Sequence, residues 1–387
     1  MAMVYLDHSA TTPLDPEVLQ AMLPYLTEEF GNASSVYGLG QRARQAIDQA
    51  RDEVAAFYGV AAKEVIFTSG GTEGDNFALR GVATRNADRG RHLITSTIEH
   101  DAVLRSAESL ERDGFEVTRV PVDHTGLVDP DDLRQALRRD TILVSIMHAN
   151  NEVGTIEPIR ELVAVTREYS TAYFHTDAVQ STGKIPTSID ELSVDLLSMS
   201  AHKLHGPKGV GCLVVRSGVR IEPQILGGGH ERNRRAGTEN VAGIVGLAKA
   251  MAVARRDLDR NAAQLAGLRD RLIDGVLNGI SGVELTGHPV LRLPHHASFL
   301  FDGVEGESLL LQLDMDGIAA SSGSACTSGS LEPSHVILAL GYPRERALGS
   351  LRLSVGKANT ESEVDLVLDR LPAMVRRLRT MAPTSAA

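Results

Sequence analysis

Two cysteines in 387 residues are too few for a disulfide-stapled framework. No basic amino-terminal segment leads into a hydrophobic stretch, so no secretory leader is expected, and a reducing, cytoplasmic compartment fits best. Nor does any apolar run approach the roughly 20 residues needed to cross a bilayer. Two cysteines cannot complete a four-ligand zinc cluster, and no HExxH occurs, so no structural metal is expected. The net charge of -11 and pI near 5.6 provide no general electrostatic surface for nucleic acid or membrane. The expected ligand is therefore small, or another protein.

What is present supports a large core and two domains: 41.5 kDa of chain with 42% hydrophobic residues. Apolar runs alternate with helical patterns. EVIFTSG at 64 to 70 reads as a strand entering a glycine-rich turn before a helix. HLITST at 92 to 97 precedes a helix containing AVLRSAESL, while TILVSIM and TAYFHTD flank a crossover helix in RELVAVTREYS. This is an α/β signature, in which ligands bind outside the carboxyl ends of the strands.

Two residues raise chemical questions. Cys326 sits in SSGSACTSG, a composition that favours an exposed loop, whereas free cysteines are usually buried. A disulfide partner, a packed thiol and a reactive nucleophile are its three readings. Lys203 lies in the turn-rich connection between the strand candidates DLLSMS and VGCLVV. It reads either as a surface lysine or as a Schiff-base lysine whose neutral form is favoured by desolvation or nearby cations.

The segments YLDHSATTP, FTSGGTEGDN, MHANNEVGT, HTDAVQ, SAHKLHGPKG, GGGHERNRRAGTEN, SSGSACTS and LRLSVG follow one another between residues 5 and 356. In content and order this set resembles the NifS/IscS-like cysteine desulfurases. The resemblance implies an α/β aspartate aminotransferase-like fold of type I, with a large mixed-sheet cofactor domain and a smaller α+β domain. It also implies a homodimeric pyridoxal 5'-phosphate enzyme that converts L-cysteine to L-alanine and keeps the sulfur as a persulfide on Cys326. A selenocysteine lyase, another aminotransferase-like enzyme and a noncatalytic partner-binding dimer are the alternatives.

The same resemblance assigns roles. Lys203 is the lysine that bonds the cofactor and moves the Cα proton; Asp177 pairs with the pyridine nitrogen; His100 stacks on the ring and assists proton movement. Gln180 and Asn151 match contacts near the phenolic oxygen. Gly71 and Thr72, between a strand and a helix, can meet the phosphate at the helix's positive end; Ser200 and His202 match further phosphate contacts, and Thr238 one from the opposite subunit. Arg352 matches the clamp on the substrate carboxylate, with Asn32, Ala10 and Thr11 nearby. Each also has a plainer reading: Asp177 as a helix cap, His100 as a structural histidine, Arg352 as a rim cation and SGGTEG as an ordinary turn.

Ala33, Tyr37 and Gly74 depart from the common pattern, where proline, histidine and serine are frequent. The expected cofactor domain spans 15–258, where the polar stretch RRDLDRNAAQ marks a change. Residues 1–14 and 259–387 form the smaller domain, including a mobile catalytic loop at 321–334. TESEVDLVLDRL opens with a Thr360 to Glu363 capping box, and Pro372 predicts a kink or stop. A sulfur-acceptor protein is expected, serving iron-sulfur cluster assembly, tRNA thiolation or another delivery route.

Overall fold

The computed structural model describes residues 3–322 and 332–381. In chain order the strands are β1 (Val4–Tyr5), β2 (Val65–Thr68), β3 (His92–Ser96), β4 (Glu116–Val120), β5 (Thr141–Ser145) and β6 (Tyr173–Asp177). They continue with β7 (Leu196–Ser200), β8 (Gly211–Val215), β9 (Val283–Leu285), β10 (His296–Phe301), β11 (Ile318–Ala319) and β12 (Ser350–Ser354). Seven of them form one sheet in the order β2-β8-β7-β6-β5-β3-β4. Within it β3 to β7 pair in parallel, and β8 runs antiparallel to both its neighbours. The sheet is therefore mixed.

The apolar runs form strands because both faces of this sheet are covered. Successive residues of a strand point to opposite faces, and adjacent apolar residues accordingly enter different cores. Phe67, Ile94, Val144, Phe174, Leu197 and Val214 pack with Ile47, Tyr58, Leu162 and Leu247 on one side. Their neighbours Ile66, Leu93, Leu143, Leu196 and Leu213 pack with Phe77, Val82, Val103 and Leu110 on the other. Full burial of one such side chain contributes about 1.5–3 kcal/mol. A polar residue in these runs would have to bring its own partner.

A third core lies under the antiparallel sheet β12-β10-β9, where Phe299, Phe301, Leu351 and Leu353 meet Leu268, Leu272, Val367 and Leu371. The chain's beginning returns here: β1 pairs with β11, and Asp7 bridges to Ser354. The Val241–Gly279 helix joins the cores, its 39 residues spanning about 58 Å at 1.5 Å per residue. Its first half contributes Ile244, Leu247 and Met251 to the large-sheet core, and its second half Leu265, Leu268, Leu272 and Val276 to the smaller one. The polar stretch around residue 258 lies inside this unbroken helix.

The Glu361–Met381 helix starts with the expected box: Thr360 N–H donates to Glu363 Oε2 at 2.9 Å and Glu363 N–H to Thr360 Oγ1 at 3.3 Å. It runs through Pro372 instead of stopping there. Proline removes one backbone donor and crowds the preceding turn, but Leu371, Met374 and Val375 are buried on either side of it. Packing of that face holds the helix together across the proline. Among the described residues no helix is long and apolar enough to cross a membrane, and no cluster of three or more His, Cys, Asp or Glu could hold a metal ion.

Candidate active site

Residues at and just beyond the carboxyl ends of β2, β5, β6 and β7 surround a cavity of about 300 Å³. Eleven residues singled out in the sequence line it: Ala10, Gly71, Thr72, His100, Asn151, Asp177, Gln180, Ser200, His202, Lys203 and Arg352. Thr11 is adjacent, its Oγ1 lying 3.1 Å from His202 Nδ1. Asn32 and Thr238 are exposed and stand outside this cavity in a single copy of the chain; Thr238 lines a separate hollow with Thr68, Arg235 and Glu239. Cys326 and most of the 321–334 segment lie outside the described residues.

Lys203 ends a single 3-10 turn after β7, which turns its side chain back across the strand ends. Its Nζ donates to the carbonyls of Ser9 and Ala10 at 2.6 and 2.7 Å. Gln180 Nε2 donates to the same Ser9 carbonyl at 3.0 Å, while Gln180 Oε1 is buried without a hydrogen-bond partner. Residue 184 adds a second lysine behind the first, its Nζ donating to the Gln180 carbonyl at 3.2 Å. Burial, and then the charge of Lys203, push the Lys184 amine down to about 7.

Asp177 closes β6 and is buried; its Oδ1 accepts the Val179 N–H at 2.8 Å. Burial raises its pKa against the opposing influence of His100 and Lys203. Asp75 shares the cavity and is also buried, and desolvation together with Asp177 pushes its carboxyl well above the usual range. Asp75 Oδ1 has no hydrogen-bond partner and lies 3.7 Å from His175 Nε2. His175 is held between Ser145 Oγ and Ser198 Oγ, each at 2.9 Å. Gly74 makes room for that network: a Cβ there would come within 2.9 Å of Ser198 Oγ.

His100 caps the Asp101–Arg112 helix through Nδ1, which accepts the Ala102 N–H at 3.1 Å. In the neutral ring this leaves Nε2 as the donor. Arg352 is buried on β12; Nη2 donates to Asp7 Oδ1 and Nη1 to the Asn151 carbonyl, both at 2.9 Å, and Nε has no partner. An unspent guanidinium donor beside a cavity suits a planar carboxylate.

The opposite wall suits a phosphate. The Gly71–Asn86 helix begins at a turn where Gly70 has φ 153°, and a Cβ on Gly71 would meet Val179 Cγ2 at 2.6 Å. Amides at this helix end, with Thr72, Ser200 and His202, supply donors for an anion. Burial and the cations of Lys203, Lys208 and Lys184 hold the His202 imidazole down at about 4, so it is neutral. These features fit pyridoxal 5'-phosphate: an anion cradle, a lysine amine, an amide acceptor seeking a partner, and a buried carboxylate that a ring cation would keep ionised.

Sequence reading did not single out Ser9, Asp75, Met147 or Val179, which complete the lining. Asp75 had a signal: it follows Gly71 by four residues, one helical turn, on the same face. Asp7, the partner of Arg352, lies inside the motif YLDHSATTP, but nothing in the sequence marked its pairing with a residue 345 positions away.

The comparisons agree with this geometry. The profile of the class-V aminotransferases matches residues 4–367. The cysteine desulfurase IscS of Dictyoglomus turgidum is 53% identical over 380 residues, covering 98% of this chain and 96% of the relative. A solved NifS-like protein superposes with a TM-score of 0.91 at 41% identity, covering 97% and 100% of the two chains. SspA, solved in complex with cysteine, superposes with a TM-score of 0.81 at 33% identity, over 92% and 100%. The chain belongs to the class-V aminotransferases, and within them to the NifS/IscS-like branch.

Proposed function

We propose that this protein is a pyridoxal 5'-phosphate-dependent cysteine desulfurase, working as a homodimer, that converts L-cysteine to L-alanine and retains the sulfur as a persulfide on Cys326. The observation that carries the reading is the convergence of Lys203, Asp177, His100 and Arg352 on one cavity. When bound, pyridoxal 5'-phosphate supplies the electron sink for charge developing at the substrate Cα. Lys203, the helix amides at Gly71, and Thr72, Ser200, His202, Asp177 and Gln180 would hold it; Asn151 lines the same cavity.

The chain's own groups divide the remaining work. Arg352 binds the cysteine carboxylate and, with Ala10 and Thr11 at the rim, fixes which Cα bond faces Lys203. The Lys203 amine takes the Cα proton and later returns one to the product. Asp177, buried at the end of β6, would stand against the cofactor's ring nitrogen and favour its protonated form. His100 donates from Nε2 toward the substrate sulfur region while Nδ1 remains on the helix amide. The Cys326 thiolate attacks the substrate sulfur: a sulfur-sulfur bond forms, the carbon-sulfur bond breaks, and its electron pair stays with the alanine skeleton.

In this reading residues 15–258 carry the cofactor, while 1–14 and 259–387 bring Arg352 and Cys326 to it. Thr238, exposed and outside the lining of its own chain's cavity, is assigned to the second copy's phosphate, and Asn32 remains a substrate-side candidate of the assembled dimer. The persulfide is destined for a sulfur-acceptor protein in a reducing, cytoplasmic setting. Without reductant, cysteine should yield one L-alanine per sulfur atom kept on the protein, and Lys203→Ala should form none. Alanine released by Lys203→Ala at the parent rate would sink the assignment.

A further inference from the structure

Residues 230–240 carry Thr238 on a path that is costly to hold. Glu231, Arg232 and Asn233 have φ of 46°, 57° and 63°, three successive non-glycine residues in the left-handed region. Ion pairs grip the segment at every fourth residue. Glu231 accepts from Arg51 Nη1 and Nη2, both at 2.7 Å, and from the Phe67 N–H at 3.0 Å. Arg235 donates from Nε and Nη2 to the two oxygens of Glu73 at 2.9 and 3.2 Å. Glu239 accepts from Arg44 Nη2 at 2.7 Å. Thr238, between the last two grips, is left exposed.

The middle grip touches the phosphate cradle directly. Glu73 is in the first turn of the Gly71–Asn86 helix, and its Oε2 also accepts the Ser69 N–H at 2.8 Å. One carboxylate thus fixes the turn at residues 69–71 and the arginine three residues before Thr238. The first grip acts on the same strand from below, since Phe67 leads through β2 into that turn. Buried and half-buried ion pairs add little net stability in general; what these three do is fix where Glu231, Arg235 and Glu239 sit.

We infer that the Glu73–Arg235 ion pair is a shared positioning device: it sets the 69–71 turn that receives the cofactor phosphate in its own subunit, and the Thr238 hydroxyl that completes the phosphate site of a second copy. The inference rests on the reading that Thr238 serves the partner's site. Arg235 lies outside the lining of the cavity. Its effect on phosphate binding passes through Glu73 on one side and through two residues of backbone on the other.

The test uses the full-length dimer stripped of cofactor, with dissociation constants measured for pyridoxal 5'-phosphate and for pyridoxal, which lacks the phosphate. Arg235→Met should weaken pyridoxal 5'-phosphate by about tenfold, the worth of one well-placed charge-assisted contact, and leave pyridoxal affinity unchanged. Arg235→Lys, which keeps the charge without the fork, should recover part of the loss. Thr238→Ala should also weaken only the phosphorylated ligand, and the double variant should lose less than the product of the two single losses. Unchanged binding in Thr238→Ala would overturn the cross-subunit reading. A loss in Thr238→Ala with none in Arg235→Met, equal losses for both ligands, or a strictly multiplicative double variant would overturn the shared device.

Discussion

Replacing Arg352 by lysine separates charge from geometry at the substrate end of the cavity. The guanidinium spends one donor on Asp7 and one on the Asn151 carbonyl, both at 2.9 Å, and keeps Nε unpaired in a buried position. Lysine retains the cation but offers one compact head on a flexible stem, so it cannot hold Asp7, the loop carbonyl and a carboxylate in the same plane. Losing one hydrogen bond to a charged group costs about 1.5–3 kcal/mol, which at 1.36 kcal/mol per decade lowers kcat/KM by roughly 10- to 150-fold. The carboxylate keeps its charge throughout the reaction, so the interaction is made equally in ground and transition states and the loss should fall on KM. Steady-state alanine formation measures both constants, and unchanged visible absorbance would show that the cofactor is still seated. A lysine variant with the parent KM would refute the clamp.

Other expectations concern the groups around the site. Burial raises the Glu99 carboxyl to about 8 although Ser96 Oγ and the Met147 N–H donate to it. The folded chain therefore holds a proton that the unfolded chain loses near pH 4.3, and stability should decline as pH rises from about 4.3 to 8, by up to about 5 kcal/mol. Glu99→Gln should flatten urea-unfolding free energies over that window; an equal slope in both proteins would contradict the placement. Burial has the opposite linkage for His148 and His175, lowered to about 4 and about 3: their contribution is complete above pH 6.5 and is lost as pH falls through these values, which acid titration by circular dichroism should detect. Cys212 is fully buried on β8 and its thiol is pushed up by desolvation. Cys212→Ala should keep cysteine turnover while lowering the unfolding midpoint, and loss of turnover with an intact fold would show that the wrong cysteine was chosen.

The sequence exposed most of this architecture because the central strands are covered on both faces. Runs such as TILVS and LLSMS leave a mainly apolar trace, and the second ends at Ser200 in the cavity lining. β4, EVTRV, is an edge strand with one fully buried residue, so its trace is weak. The polar stretch near residue 258 reflects helix surface between two cores, where Arg255, Arg256 and Arg260 face solvent, and helical continuity is invisible to composition. Lys203, Asp177 and His100 were legible through their motifs. Residues 1–14 were expected with the smaller domain, but the Asp7–Arg352 pair itself was not legible, because no spacing marks a partner 345 residues away. Asp75 was readable from helical spacing alone, whereas the partnership of Glu73 with Arg235 spans 162 residues and depends on the tertiary path of a strained loop.

The central claim is that Cys326 removes sulfur from cysteine and keeps it. Mass analysis of the Cys326 peptide after a single turnover without reductant tests this most directly. The account predicts one additional sulfur atom on that peptide for each L-alanine formed, removable by a thiol reductant as sulfide. Stoichiometric alanine with an unmodified Cys326 peptide would contradict it.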